Sequence, residues 1–189
     1  TLDEKVLPIV IGRILRDPPG LDLDTELEFK KYSADGPIVG KIRPAMFSFF
    51  GLSNNNDPVE VAIFFSDLDL DCDKKKLVEE RTRAQFDSYP SAVVVHGFAD
   101  PCLEEWFFRD GAAIRHVYNL STIQGIPYSD VSNPKTRLKR IHDNSEVELT
   151  LSQAYVALAS SIDLQQLIRA DRNFERFYKS LRETFGCST

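Results

Sequence analysis

The sequence predicts an α/β protein built on a doubly wound, mainly parallel sheet with additional C-terminal helices. Two short apolar runs, Val61 to Phe65 and Ser91 to Phe98, are rich in β-branched and aromatic residues on both faces, as buried strands of parallel sheets are. Residues 74–86 between them predict a helix. Strand, helix and strand at this spacing form a βαβ unit, so we expect parallel strands and a right-handed crossover.

Length and composition indicate one globular domain over residues 1–189, with 42% hydrophobic and 28% charged residues. No apolar run of about twenty residues and no signal peptide are present, which predicts a cytoplasmic protein without a membrane span. Three widely spaced cysteines, Cys72, Cys102 and Cys187, favour reduced thiols. The net charge of −6 argues against a protein that coats nucleic acid by charge alone.

The first residue is Thr1 and the only methionine is Met46, so we expect the chain to begin inside a longer or processed sequence. Thr1 and Glu4 match a capping box that opens a helix, and Pro8 should kink that helix or mark a late start. Residues 21–57 are ambiguous, although residues 38–50 are compatible with a strand.

Beyond the second strand, one helix is expected to open near Pro101 and to carry Trp106 and Ile114 inward. Pro134 should start a short basic helix. Ser145 and Glu148 match a second capping box, and the pattern predicts two final helices. We expect residues 134–189 to form a helical C-terminal extension packed on the domain.

Four aspartates at alternate positions leave the first strand: Asp67, Asp69, Asp71 and Asp73. If the backbone stays extended, the side chains of Asp67 and Asp69 lie on the same face of the strand. Two carboxylates at such a short distance repel each other, and a divalent cation between them removes the repulsion. The pattern therefore predicts a metal site. For Asp71 and Asp73, a solvated turn or the cap of the following helix is the favoured interpretation.

Glu104 lies just past the end of the second strand, at the same edge of the predicted sheet as Asp67 and Asp69. Ligands bind at this edge in open α/β sheets, so the three carboxylates predict an acidic metal cluster. Glu104 and Glu105 could instead be N-terminal charges of a helix. His96 could relay a proton or bind metal, although a lone histidine here is more often structural.

The segment FFSDLD after an apolar block resembles the D-x-D motif of Toprim domains, the metal-binding fold of topoisomerases, primases and overcoming-lysogenization-defect nucleases. The order of elements is most similar to small stand-alone Toprim-like proteins of bacteria. Their E-x-W segment is matched by Glu104-Glu105-Trp106, and their Pro-Lys with a basic helix is matched by Pro134-Lys135. The motifs are short, but their order covers nearly the whole chain.

The resemblance implies a metal-dependent nuclease that cleaves DNA or RNA. Asp67, Asp69 and Glu104 would be catalytic, and Asp67, Asp69, Asp71 and Glu104 would hold Mg²⁺ or Mn²⁺. The implied phosphate contacts are Lys135, Arg137, Lys139 and Arg140, whose alternative reading is a solvated helix face. The family's catalytic Glu on its first strand would lie upstream of Thr1. The resemblance also implies an ATPase partner in a two-component defence against phage, while a homo-oligomer stays open.

Two alternatives remain. A phosphatase of the haloacid dehalogenase type also places D-x-D after a strand and uses the first Asp as nucleophile, but it expects different residues where Leu70 and Asp71 stand. A non-catalytic interaction subunit of an ATPase-containing complex is the other alternative. It would carry the acidic crevice only as a structural feature.

Overall fold

The computed structural model describes residues 3–16, 40, 42–44, 61–86, 93–121 and 133–187. The described part is mixed α/β and mostly helical. Its elements in chain order are α1 (Asp3–Arg16), β1 (Val61–Asp67), α2 (Cys72–Phe86), β2 (Val93–Ala99), α3 (Glu104–Arg109), α4 (Gly111–Val117), α5 (Pro134–Asp143), α6 (Leu151–Ser161), α7 (Leu164–Ala170) and α8 (Arg172–Thr184).

Strands β1 and β2 pair in parallel, as the two apolar runs predict, with Val61 opposite Val93 and Asp67 opposite Ala99. Within the described residues they make a two-stranded sheet. Because the strands are parallel, both carboxyl ends lie at one edge, and the segments that leave them start side by side. This edge is where the predicted site residues lie.

Helices cover both faces of the sheet, which explains why the two strand sequences lack a polar face. On one face, Ala62 and Phe98 pack with Val78 of α2. On the other face, Phe65 and Gly97 meet Phe177 of α8. The approach of α8 is close because Gly97 has no side chain: a Cβ there would lie 2.6 Å from the Phe65 ring and 3.0 Å from the Phe177 ring.

The main core lies between β2, α1 and the C-terminal helices, with Trp106 and Phe174 fully buried in it. Their rings meet edge to face at 4.8 Å, a geometry that adds to the gain from burial. Helix α1 joins this core as a single helix that contains Pro8. Its Arg13 donates to the carbonyls of Ala159 at 2.8 Å and Ile162 at 2.6 Å, where α6 ends.

Two predicted boundaries are wrong. The helix expected from Pro101 is broken at Asp110, whose carboxylate accepts from the N–H groups of Ala112 and Ala113 and so starts α4. The capping box near residue 145 is formed instead by Thr150 and Gln153, and helix α6 begins at Leu151.

The last part of the chain contains three helices rather than two after α5, since Asp163 caps α7 and Asp171 caps α8. The strand considered for residues 38–50 is not observed at residues 40 and 42–44, which are helical. A short apolar run fits either structure, so periodicity could not decide it. The other residues of that range, and the rest of the ambiguous residues 21–57, lie outside the described residues.

Two of the three cysteines and the described helices bear on the expectations drawn from composition. Cys102 and Cys187 are free and buried. No helix within the described ranges has both the length and the apolar character needed to cross a membrane.

Candidate functional site

Asp67 is the last residue of β1, and its carboxylate turns toward the segment that leaves β2. Its Oδ1 accepts from the backbone N–H of Leu103 at 2.9 Å, just before α3 begins. Its Oδ2 accepts from Nζ of Lys135 on α5 at 2.8 Å. The side chain of Asp67 is 16% exposed. One carboxylate thus joins three elements at the carboxyl edge of the sheet.

Glu104 is the first residue of α3 and is only 3% exposed. Its Oε1 accepts from the Tyr155 hydroxyl at 2.8 Å. Its Oε2 is buried and has no hydrogen-bond partner among the described residues. A buried carboxylate oxygen without a partner is costly, so this atom calls for a water, a proton or a cation.

Lys135 links the two carboxylates electrostatically. Partial burial alone would lower the pKa of Lys135, but the hydrogen bond and charge of Asp67, together with the charge of Glu104, outweigh it. The pKa of Lys135 therefore lies above its usual value, and the ammonium stays charged. Asn133 positions this lysine, because its side chain accepts from the Lys135 N–H at 2.9 Å and starts α5.

Two buried groups border Glu104. Burial, and then the charge of Glu104, raise the pKa of the Cys102 thiol to about 12. Burial and the same carboxylate also raise the pKa of Tyr155 above its usual value. Both side chains are therefore protonated at neutral pH. The site thus contains two carboxylates, one ammonium and two neutral donors.

The other aspartates of the acidic run point elsewhere. Backbone φ angles of 55° at Asp69 and 65° at Leu70 take the chain out of the extended conformation, so the expected sharing of a face by Asp67 and Asp69 loses its basis. Asp69 is 67% exposed and pairs with Lys74 at 2.8 Å. Asp71 accepts from the N–H groups of Asp73 and Lys74 at 3.0 and 3.2 Å, which is a helix cap.

The predicted phosphate contacts on α5 fall into two groups. Lys135, Lys139 and Arg140 are exposed. Arg137 is 7% exposed, and its guanidinium lies 4.3 Å from the centre of the Phe108 ring. It packs inward, so it contributes to folding rather than to a surface. Lys139 forms an ion pair with Asp143 one turn along the helix.

His96 lies within β2, opposite Phe64, and is separated from the acidic edge by three residues of strand. Its ring stacks on Phe98 with centroids 6.1 Å apart. Burial lowers the pKa of His96. Glu105, next to Glu104, pairs with Arg109 at 3.2 Å, and burial raises its pKa. Both positions fit structural roles.

Tyr155 and Cys102 border Glu104, which their sequence patterns did not predict. Tyr155 falls on the apolar stripe of α6 and its ring is indeed core, packed edge to face on Phe107 at 5.6 Å. The only sequence signal for its second role is its hydroxyl, since a buried Tyr hydroxyl usually needs a partner. Which partner it finds depends on how α6 packs, and periodicity does not give that.

Carboxylate oxygens are the ligands that hard divalent cations prefer. Within the described ranges no group of three or more His, Cys, Asp or Glu side chains is arranged to hold a metal ion. However, Mg²⁺ commonly binds one or two carboxylates and completes its shell with water and substrate phosphate. Asp67 and Glu104 supply two carboxylates, and the buried Oε2 of Glu104, unpartnered among the described residues, is an atom that a cation would satisfy.

Comparisons of the chain with protein-family models, with curated proteins and with solved structures found no match.

Proposed function

We propose that the chain is a nuclease of Toprim type that uses Mg²⁺ or Mn²⁺ to cleave phosphodiester bonds of DNA or RNA, on the doubly wound sheet of that fold. One observation carries the proposal. Asp67 at the end of β1 pairs with Lys135, the charge of Glu104 just past β2 acts on the same ammonium, and Glu104 keeps one buried oxygen without a partner among the described residues. Carboxylates from neighbouring strand ends are the expected cation ligands of such a sheet.

Asp67 and Glu104 hold the cation in this proposal. When bound, the cation polarises the phosphate and stabilises the oxygen that leaves. Asp69, whose side chain is 67% exposed on the turn, joins them by leaving its ion pair with the less exposed Lys74. Asp71 stays at the cap of α2.

Lys135 has two roles in the proposal. Before substrate binds, it neutralises Asp67. With Asp67 engaged by a cation, Lys135 would be free to donate a charge-assisted hydrogen bond to a phosphate oxygen of the substrate. Lys139 and Arg140, exposed farther along α5, extend this positive surface along the nucleic-acid backbone.

We also propose an ATPase partner, in a two-component system for defence against phage, that restrains or loads the nuclease. A net charge of −6 supports an assisted mode of binding, because charge alone does not bring the protein to nucleic acid.

A second candidate function is a non-catalytic interaction subunit of that complex. The observation that favours it is the Asp67–Lys135 ion pair, which satisfies the Asp67 carboxylate without a cation. In this alternative the acidic edge holds β1, α3 and α5 together and performs no chemistry.

The test is cleavage of a panel of DNA and RNA, including tRNA, by the full-length protein with Mg²⁺ or Mn²⁺. The comparison is with Asp67→Ala/Asp69→Ala, and Asp143→Ala is the matched control because Asp143 lies on α5 away from the site. Cleavage by the parent and by Asp143→Ala, lost in the double variant, supports the nuclease. Equal cleavage by all three rejects it. No cleavage by any of them, with copurification of an ATPase, favours the interaction subunit.

A further inference from the structure

Tyr155 makes a contact that the proposed chemistry has not yet used. It lies on α6, is 3% exposed, and donates from its hydroxyl to Glu104 Oε1 at 2.8 Å. Its ring packs at 90° on Phe107. The start of α6 is held by the reciprocal capping box of Thr150 and Gln153. The hydroxyl is therefore presented from a fixed helix.

This contact makes the two oxygens of Glu104 unequal. Oε1 is occupied by the tyrosine, whereas Oε2 is the buried atom without a partner among the described residues. A carboxylate held at one oxygen cannot turn freely about its last torsion, so the direction of the other oxygen is set. Partners that orient a ligand in this way change metal affinity without touching the metal.

We propose that Tyr155 is a positioning residue for Glu104, holding Oε1 so that Oε2 is directed to a divalent cation shared with Asp67. The inference rests on the proposed function and adds to it an element outside the βαβ unit. Loss of the hydroxyl should weaken cation binding about 10- to 100-fold, the usual effect of removing such a partner.

A matched control is present in the chain. Tyr118 is as deeply buried as Tyr155, at 2% exposed, but its hydroxyl has no hydrogen-bond partner among the described residues. Tyr118→Phe and Tyr155→Phe each remove one hydroxyl from a buried tyrosine. Only Tyr155→Phe removes a contact to Glu104.

The experiment is a titration of the full-length protein with Mn²⁺, followed by the electron paramagnetic resonance signal of free Mn²⁺. It is applied to the parent, Tyr155→Phe, Tyr118→Phe and Asp67→Asn. Thermal unfolding without metal verifies that each variant is folded. The Mn²⁺ concentration for half-maximal cleavage and the rate at saturation are measured in parallel.

We expect Tyr155→Phe to bind Mn²⁺ about 10- to 100-fold more weakly, with Tyr118→Phe unchanged. The half-saturating Mn²⁺ concentration should rise by the same factor, with most of the saturated rate retained. If Tyr155→Phe binds like the parent while Asp67→Asn does not bind, the role of Tyr155 is rejected and the nuclease proposal stands. If the parent binds no Mn²⁺, both are rejected.

Discussion

The carboxylate of Asp67 accepts a hydrogen bond from the ammonium of Lys135 at 2.8 Å, across 68 positions of sequence. The pair connects the end of β1 to the start of α5. Lys135 is half exposed while Asp67 is mostly buried, with side-chain exposures of 51% and 16%. The ammonium therefore closes the site on its solvent side, and what binds at Asp67 must compete with it.

Replacing Lys135 by Met should change cation binding and cleavage in opposite directions. Removal of the competing positive charge should strengthen Mn²⁺ binding several-fold. Cleavage at saturating metal should fall at least about 10-fold, since a charge-assisted contact to phosphate is lost. Stability should fall by about 1–3 kcal/mol, because the mostly buried Asp67 carboxylate loses its charged partner. Metal titration, cleavage rates and urea unfolding measure the three effects.

Lys139→Met is the control, because Lys139 lies one turn along α5 and pairs with Asp143 instead of Asp67. It should leave Mn²⁺ affinity unchanged and weaken cleavage only at low substrate concentration. Unchanged cleavage by Lys135→Met would contradict the proposed phosphate contact.

Gly97→Ala should destabilise the protein by about 1–3 kcal/mol, the usual cost of overpacking a core. A Cβ at this position would lie 2.6 Å from Phe65 and 3.0 Å from Phe177, so β2 and α8 would have to separate. Gly12→Ala is the comparison, because its Cβ would meet only Arg16 at an ordinary 3.5 Å within α1. That variant should be about 0.5–1 kcal/mol more stable, since alanine favours helix. Equal effects in chemical denaturation would refute the close packing at Gly97.

Stability should fall as the pH is lowered through about 6.5, the ordinary pKa of histidine. Burial lowers the pKa of His96 in the folded protein, with the charge of Glu79 acting against this and that of Arg83 adding to it. Below pH 6.5 the unfolded chain therefore takes up this proton before the folded protein does. The free energy of unfolding decreases with falling pH until folded His96 is itself protonated.

The contribution of His96 is isolated with His96→Gln, which should lose part of the pH dependence between about pH 7.5 and 5. His116→Gln is the control, because His116 is exposed on α4. Urea unfolding across the range gives the slopes. The same slope in His96→Gln and in the parent would show that His96 does not titrate differently on folding.

The parallel βαβ unit could be predicted because its signal is local. Apolar residues on both faces of two runs require cover on both sides, and α2 and α8 provide it. The meeting of Asp67 with the segment containing Glu104 then follows from parallel pairing, since both strands end at one edge.

The position of Asp69, the break between α3 and α4 and the contact of Tyr155 could not be predicted, because they depend on backbone turns and on packing between distant parts of the chain. Asp69 and Leu70 adopt positive φ, which alternation of aspartates does not signal, so Asp69 leaves the face of Asp67. Asp110 caps α4 and so divides the predicted single helix into α3 and α4, although the apolar pattern continues across it. The sequence pattern places Tyr155 in the core, and its ring is buried there. Its hydroxyl donates to Glu104 because of the way α6 packs, which the pattern does not give.

The most direct measurement of the central claim is a double-mutant cycle in Mn²⁺ affinity with Asp67→Asn and Glu104→Gln in the full-length protein. Asparagine and glutamine keep acceptors for Leu103 and Tyr155 while removing charge. If Asp67 and Glu104 hold one cation, each single variant should weaken binding at least about 10-fold, and the double variant should be far less than additive because the site is already lost. Unchanged affinity in both single variants would contradict a shared cation site.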